Sequence, residues 1–195
     1  MTDPLLQTGE GQTELAEDER VGLLPTFVST RRELFDAEQR NIAQALLGRR
    51  PEPLQLLDSG YLRSLHRRMF GEVWGWAGSF RVRETNIGID PAGIAVALRN
   101  LIDDTRSWLE YGTYEPDELA VRFHHCLVAI HPFPNGNGRH ARIAADYLIQ
   151  GLGHPAFSWG ANLDVVTEHL RSAYLQALRG ADRREFDDLV RFARS

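Results

Sequence analysis

Apolar residues recur at helical spacing along nearly the whole chain, and this periodicity is the feature that most constrains its fold. It is clearest at Leu62, Leu65, Met69 and Val73. Residues at this spacing share one face of a helix, whereas alternation of apolar and charged residues is typical of a strand. Alternation occurs only over residues 80–84, just before the turn signal Asn86-Ile87-Gly88. The sequence therefore predicts an all-α helical bundle with one short β-hairpin at residues 80–90.

Capping residues mark where the predicted helices begin. Thr30 followed by Glu33 fits the capping-box pattern at the start of the first long helix. Glu115 precedes a proline, which helices accept in their first turn because it has no N–H to leave unpaired. Asp182 with Glu185 predicts the start of the last helix. The caps and the periodicity agree, which favours helices throughout.

Residues 26–195 contain no linker or internal repeat, so they are predicted to form one domain. The polar residues 1–25 are predicted to be an N-terminal arm that is partly disordered. They lack the basic-then-apolar pattern of a signal peptide, and no apolar run approaches the roughly 20 residues that span a bilayer. The single cysteine, Cys126, excludes an internal disulfide. We therefore expect a cytoplasmic protein with no membrane association.

Charge and composition exclude several classes of function. The formal net charge is −5, which argues against nucleic-acid binding by bulk positive charge. All 22 basic residues are arginine. The absence of lysine excludes a P-loop, which needs one for the phosphates, and also excludes Schiff-base chemistry.

The segment from His131 to Arg142 concentrates the residues that point to chemistry. Gly136, Asn137 and Gly138 stand immediately before a predicted helix. Glycine lets backbone N–H groups approach a ligand closely, and the N-terminus of a helix attracts anions. The pattern therefore predicts a phosphate-binding loop.

Three side chains of this segment can act on a phosphate held in the loop. Arg139 and Arg142 are three positions apart, so they share a helix face and can grip one oligophosphate. His131 stands just before the loop and is suited to act as the general base for an attacking hydroxyl. The alternative is a turn between helices with solvent-facing arginines, and the convergence of these residue types disfavours it.

This segment resembles the signature of the Fic family, His-x-Phe-x-(Asp/Glu)-Gly-Asn-(Gly/Lys)-Arg-x-x-Arg. The matching residues are His131, Phe133, Gly136, Asn137, Gly138, Arg139 and Arg142. Trp76 to Arg81 is similar to the family's Trp-Ala-Gly-x-x-Arg element, and the resemblance extends over about residues 54–192. The wording Pro-Asn-Gly-Asn-Gly-Arg-His-Ala-Arg and the Asn-Ile-Gly flap most resemble the subgroup called mobile mystery protein B.

The resemblance implies both a fold and a reaction. The fold is a helical bundle with a β-hairpin flap beside the active-site loop. The reaction is transfer of AMP, or a related phosphate-linked group, from a nucleotide such as ATP to a hydroxyl side chain of a target protein.

The resemblance also implies a role for each matching residue. His131 would be the base, and Phe133 would anchor the loop. The loop glycines with Asn137 would hold the α-phosphate, while Arg139 and Arg142 would bind the outer phosphates. Tyr174 would line the adenine pocket. The flap would align the target by strand addition, through Thr85, Asn86, Ile87, Gly88 and Ile89.

One position departs from the signature, because Asn135 stands where the family has a carboxylate that binds Mg²⁺. An amide oxygen carries no charge, so the use of Mg²⁺ with the nucleotide is weakened. Three alternatives follow: slow AMP transfer, use of another donor, or nucleotide binding without catalysis. In the last case the chain would be a binding module or a toxin-system component with an antitoxin or regulatory partner.

Many Fic proteins are inhibited by a helix carrying (Ser/Thr)-x-x-x-Glu-(Gly/Asn), whose glutamate pairs with the second arginine of the signature. Ser29 to Glu33 fits the first five places of this motif but not the sixth. Thr13 to Glu17 fits in the same way. Glu33 is therefore a candidate inhibitory residue, with helix capping as its alternative role, and Glu17 is a weaker candidate.

Overall fold

A computed structural model describes residues 20–163 and 167–195, and this part of the chain is built from α-helices. The helices are α1 (Arg31–Leu46), α2 (Pro53–Leu56), α3 (Ser59–Phe70), α4 (Ile94–Tyr111), α5 (Pro116–Ile130), α6 (Asn137–Gly151), α7 (Thr167–Asp182) and α8 (Asp187–Arg194). A 3₁₀ turn, Pro91–Gly93, leads into α4. The all-α fold class predicted from the periodicity is confirmed.

The predicted cap of the first helix is present, and α3 has a side-chain cap as well. Thr30 caps α1 in a capping box with Glu33. The Asp58 side chain accepts a hydrogen bond of 2.8 Å from the backbone N–H of Tyr61 at the start of α3. The last helix differs from its prediction, because α8 begins at Asp187 and Asp182 ends α7 instead. The carboxylate of Asp182 lies 2.8 Å from the ring of His125 on α5, so a contact with a distant helix replaces the predicted cap.

The core lies between α3, α5 and α6. Helix α6 packs along α5, α3 packs on α1 and α6, and α4 and α8 cover other faces of α5. Ala141, Ala144 and Ala145 are buried in α6, and their small side chains let neighbouring helices approach closely. The N-terminus of α6 and the C-terminus of α5 therefore meet in the centre of the molecule, where the predicted loop lies.

The predicted hairpin takes a different form: residues 79–90 contain no β-strand and form no β-ladder. The carbonyls of Arg83 and Ile89 accept hydrogen bonds from the Arg81 guanidinium. A buried side chain thus takes the place of strand pairing. The segment still folds back on itself beside the loop, and we call it the flap segment.

Residues 22–24, within the predicted arm, contact the helical core. Leu24 donates a backbone hydrogen bond of 2.9 Å to the carbonyl of Val73, and Gly75 donates one of 2.8 Å to the carbonyl of Gly22. Most of the predicted arm, residues 1–19, lies outside the described residues, so the boundary at residue 25 stays a prediction. Across the helices that the structure describes, none is both long and apolar enough to cross a membrane.

Candidate active site

The loop between α5 and α6 is held by its own side chains. Helix α5 ends at His131, which adopts the left-handed conformation with φ 53°. The side chain of Asn137 then spans the loop: its Oδ1 accepts from the N–H of Phe133 at 2.9 Å, and its Nδ2 donates to the carbonyl of Phe133 at 2.7 Å. The amide of Asn137 is therefore used inside the loop, which leaves its backbone N–H as the group that can meet a phosphate.

The two glycines of the loop serve different purposes. Gly136 has φ 77°, and a Cβ there would lie 2.6 Å from the ring of Phe70, so no other residue fits. A Cβ at Gly138 would meet nothing within 4 Å. Gly138 thus faces open space at the N-terminus of α6, where the first backbone N–H groups have no acceptor within the helix. This is where an anion would bind.

A histidine of α3 that the sequence did not single out holds the loop in place. His66 on α3 is fully buried and stacks on Phe133, with ring centroids 3.8 Å apart. Its Nδ1 accepts from the N–H of Gly78 at 3.0 Å, so its Nε2, 3.0 Å from the carbonyl of Asn135, is the donor. Burial holds the pKa of His66 well below its usual value, so the ring is neutral. The only sign of this role in the sequence is that His66 adjoins the apolar stripe of α3.

His131 is buried and neutral. Its side chain is 5% exposed. Burial, with the nearby charge of Arg81, lowers the pKa of His131 to about 4, although a hydrogen bond to the Val128 carbonyl opposes the shift. A neutral imidazole carries one N–H and one nitrogen with a lone pair, which is the form that a general base requires.

Arg139 is paired with a glutamate of α1. Its Nη1 lies 2.7 Å from Oε2 of Glu38, and Oε1 of Glu38 accepts from the indole N–H of Trp74 at 2.7 Å. Glu38 is 4% exposed, so this ion pair is largely removed from water on its acidic side. Glu38 lies four positions after Leu34 and four before Ile42, and a charge on that apolar stripe was the signal in the sequence.

The candidate inhibitory residue Glu33 lies at the start of α1, and its inhibitory role stays a prediction. The carboxylate of Glu33 is exposed and accepts hydrogen bonds from the N–H groups of Ser29 and Thr30, at 2.8 and 2.9 Å. These bonds lower the pKa of Glu33, and they keep its side chain at the start of α1. Glu33 therefore caps the helix, and the glutamate that contacts an arginine of the signature is Glu38. Glu17 lies outside the described residues.

Arg142 stacks on aromatic rings and does not reach Glu38. Its guanidinium lies 4.4 Å from the ring centroid of Tyr174. The hydroxyl of Tyr174 is 3.0 Å from Nε2 of His124, and Tyr174 is buried. In the described structure the ring of Tyr174 thus packs against the guanidinium of Arg142. Its predicted contact with adenine stays a prediction.

One further titratable group lies behind Arg142. Asp146, one turn along α6, accepts from the indole N–H of Trp159 at 3.0 Å and from the N–H of Phe157 at 3.2 Å. Burial raises the pKa of Asp146 to about 6, and the positive charge of Arg142 opposes this. Nothing in the local sequence marked this aspartate, since its partners come from a loop beyond the helix.

Asn135 offers little to a metal by itself. Its Oδ1 accepts from the N–H of Gly136 at 2.6 Å, and its carbonyl is held by His66. Within the described residues, no three His, Cys, Asp or Glu side chains are grouped as metal ligands. The donor set therefore fits a divalent ion only if the ion arrives with the phosphates of a nucleotide.

The structure thus places a glycine-containing loop between the buried ring of His131 and two arginines of α6, on a helical fold. Residues 56–149 match the Fic/DOC family. The chain belongs to that family through this segment, as the resemblance of its signature predicted. The likeness to the mobile mystery protein B subgroup stays a prediction.

Relatives and solved structures agree with this assignment. The protein adenylyltransferase Fic of Drosophila melanogaster is 32% identical over 134 residues, which are 66% of this chain and 25% of that protein. The chain thus spans about a quarter of the length of such relatives.

Two solved structures share the fold. The Fic domain of a Bartonella quintana cell filamentation protein, with bound ADP, has a TM-score of 0.66 at 19% identity and covers 87% of this chain and 86% of that one. The BepC protein of Bartonella tribocorum, with bound AMPPNP, has a TM-score of 0.67 at 20% identity, covering 91% and 98%.

Proposed function

We propose that this protein transfers AMP from ATP to a hydroxyl side chain of a target protein. The observation that carries the proposal is the neutral, buried ring of His131 at the end of α5, directly before the glycine loop that opens α6. A base and an anion site that adjoin in this way suit nucleophilic attack on phosphorus. The relatives named as protein adenylyltransferases, and the ADP and AMPPNP bound in other Fic structures, support this choice of substrate.

The nucleotide would bind with its α-phosphate at the N-terminus of α6. The backbone N–H groups of Asn137 and Gly138 point to that end of the helix, and Gly138 leaves space for phosphate oxygens. Arg139 and Arg142 follow on the same helix and would hold the outer phosphates. Such fixed donors stabilise the negative charge that develops as pyrophosphate leaves.

His131 would take the proton of the target hydroxyl while the oxygen of that hydroxyl attacks the α-phosphorus. The new bond joins that oxygen to phosphorus, the bond to the pyrophosphate oxygen breaks, and pyrophosphate departs with its electron pair. A pKa of about 4 makes the free imidazole a weak base. Bound phosphates add negative charge beside it, which raises the pKa and strengthens the base when the substrate is present.

Mg²⁺ would enter as part of the nucleotide complex. When bound, it would neutralise charge on the phosphates and assist the departure of pyrophosphate. Asn135 is the residue at the family's ligand position, and its side chain offers a neutral oxygen that Gly136 already engages. This chain would therefore depend on Mg²⁺ less than a member with a carboxylate there.

We assign the flap segment, at Thr85, Asn86, Ile87, Gly88 and Ile89, to alignment of the target. It lies so close to His131 that a Cβ at Gly88 would come within 2.6 Å of the Cβ of His131. A target backbone that paired with the segment would bring its hydroxyl side chain to the base. Main-chain pairing recognises an extended shape more than a particular sequence.

The ion pair of Glu38 with Arg139 would restrain the activity. The carboxylate holds Arg139 at 2.7 Å, so the outer phosphates must displace it before the arginine can bind them. This assigns to Glu38 the inhibitory role first considered for Glu33. The contact is with the first arginine of the signature, whereas the family pattern predicted the second.

Self-labelling tests the proposed function. The protein is incubated with ATP labelled at the α-phosphate, with Mg²⁺ or with chelator, and His131→Ala is the control. Covalent label that requires His131 is the expected result. Tight nucleotide binding by calorimetry without any label would favour the alternative, a nucleotide-responsive binding module, which the uncharged Asn135 makes reasonable. A parallel comparison of ATP, CTP, GTP and UTP identifies the base that the pocket prefers.

A further inference from the structure

Arg81 lies between the catalytic loop and the flap segment, and its side chain is 3% exposed. Its Nε donates to the carbonyl of His131 at 2.7 Å. Its Nη1 donates to the carbonyl of Arg83 at 2.8 Å, and its Nη2 donates to the carbonyl of Ile89. One guanidinium therefore binds the main chain of His131 and both arms of the flap segment.

The guanidinium fixes these three carbonyls relative to one another. Its donors lie in one plane at set angles, so acceptors on three of them cannot move independently. The backbone adds a fourth link, since the N–H of Arg81 donates to the carbonyl of Pro132 at 2.9 Å. Because a buried charge is costly without hydrogen bonds, breaking any of these contacts is unfavourable.

The flap segment also packs directly against the base. A Cβ at Gly88 would lie 2.6 Å from the Cβ of His131 and 2.7 Å from Nη2 of Arg81. His131 itself holds a left-handed conformation, with φ 53°, that a residue other than glycine adopts only when its surroundings enforce it. The hydrogen bond from Arg81 to its carbonyl is one such constraint.

We propose that Arg81 is a positioning residue that sets the distance between the target hydroxyl and His131, by joining the flap segment and the His131 carbonyl in one hydrogen-bonded unit. This inference rests on the proposed function, in which His131 is the base and the flap segment aligns the target. Arg81 touches neither the nucleotide nor the reacting atoms in this arrangement. Its positive charge has a second effect, which is to favour the neutral form of the His131 ring.

The test compares Arg81→Lys and Arg81→Met with Arg83→Met, in the full chain. Lysine keeps the charge but loses the planar fork, whereas methionine loses both. Arg83 is an exposed arginine of the same segment that offers its backbone carbonyl to Arg81, and a substitution keeps that carbonyl, so its replacement is a matched control. We expect the rate of self-labelling from ATP to fall about 100-fold in Arg81→Lys, with ATP affinity by calorimetry unchanged within about twofold, because a small misplacement costs rate and not binding.

A second readout does not depend on activity. The pKa of His131, followed by NMR of its labelled imidazole, should rise in Arg81→Met, because removal of a nearby positive charge favours the protonated ring. It should change less in Arg81→Lys and stay constant in Arg83→Met. Since Arg81→Lys keeps the charge, it carries the test of positioning if Arg81→Met fails to fold.

The two readouts separate the inference from the function on which it rests. Equal labelling rates in Arg81→Lys and Arg83→Met, with wild-type labelling intact, would overturn the positioning role while the transferase proposal survives. If the wild-type protein does not label at all, the proposed function fails. The NMR measurement on the His131 imidazole then tests the role of Arg81 by itself. A His131 resonance with the same chemical shift and pKa in wild type and Arg81→Met would then show that Arg81 does not place that residue.

Discussion

The loop of residues 131–138 and the flap segment both border His131, but they are held in different ways. The loop is fixed by contacts within itself and by the end of a helix, above all by the two hydrogen bonds between Asn137 and Phe133. The flap segment is fixed from inside by one guanidinium, that of Arg81. The loop, which His66 also holds from α3, therefore has several anchors, whereas the flap segment depends mainly on the side chain of Arg81.

His131 begins the loop and contacts the flap segment, so its removal should have the largest effect. We expect His131→Ala to lower the rate of transfer by about 10³-fold or more, since general-base catalysis is typically worth 10²–10⁴. Nucleotide affinity should stay within about twofold, because the ring takes a proton and does not hold phosphate. Single-turnover labelling and calorimetry measure the two quantities. The exposed His154 is a suitable control. Equal losses of rate and affinity would contradict the assigned role.

Two glycines allow each region to be disturbed separately. Gly88→Ala puts a methyl group against His131 in the flap segment, and Gly136→Ala puts one against the ring of Phe70 in the loop. We expect Gly88→Ala to reduce transfer about 100-fold while the affinity for ATP is kept. Gly136→Ala should weaken ATP binding as well, because it shifts the backbone that holds phosphate.

Gly138→Ala is the folding control for Gly88→Ala and Gly136→Ala. A Cβ at Gly138 meets nothing within 4 Å, so the variant should unfold at the wild-type temperature. Thermal unfolding of all three variants identifies any general loss of structure. If Gly88→Ala loses nucleotide affinity as strongly as Gly136→Ala does, then the two regions are one cooperative unit and the distinction between them fails.

The separation of partners along the chain explains what the sequence could predict. The loop was predictable because each of its signals is local: a histidine, two glycines and two arginines within a dozen residues that end at a helix. The cap of α1 was predictable for the same reason, since Thr30 and Glu33 lie three positions apart.

The contacts that the sequence did not reveal join residues far apart in the chain. Alternation over residues 80–84 predicted strands, but Arg81 binds the carbonyl of His131, 50 positions away, as well as two carbonyls of its own segment. The pair of Glu38 with Arg139 spans 101 positions, whereas the partners of Glu33 are its own neighbours, so the local pattern indicates Glu33 and not Glu38. A buried polar residue is recognised from sequence only as an exception to a stripe, and its partner is set by tertiary packing.

Glu38→Gln tests whether the loop is restrained from outside. Glutamine keeps the shape and can still accept from Trp74, but it removes the charge that holds Arg139. A charge-assisted hydrogen bond is worth about 1.5–3 kcal/mol, so we expect ATP affinity and self-labelling to rise by about tenfold. Glu33→Gln is the matched control, and it should change neither quantity. A rise in Glu33→Gln alone would return the inhibitory role to Glu33.

The smallest expected effect concerns Asn135, and its sign should depend on Mg²⁺. Asparagine and aspartate have nearly the same shape, and an aspartate could still accept from the N–H of Gly136 at 2.6 Å, so the loop should tolerate Asn135→Asp. With Mg²⁺, the added carboxylate gives the ion a charged oxygen beside the phosphates, and we expect labelling to rise about severalfold. In chelator the same charge repels the phosphates, so ATP affinity should fall by a similar factor. Calorimetry and labelling of both forms, with and without Mg²⁺, measure the two signs. An Asn135→Asp protein that ignores Mg²⁺, or that loses activity in it, would mean that this position is not a metal-ligand site. The loop would then be a structure built for a metal-free donor or for binding alone, because its remaining groups hold phosphate without a divalent ion.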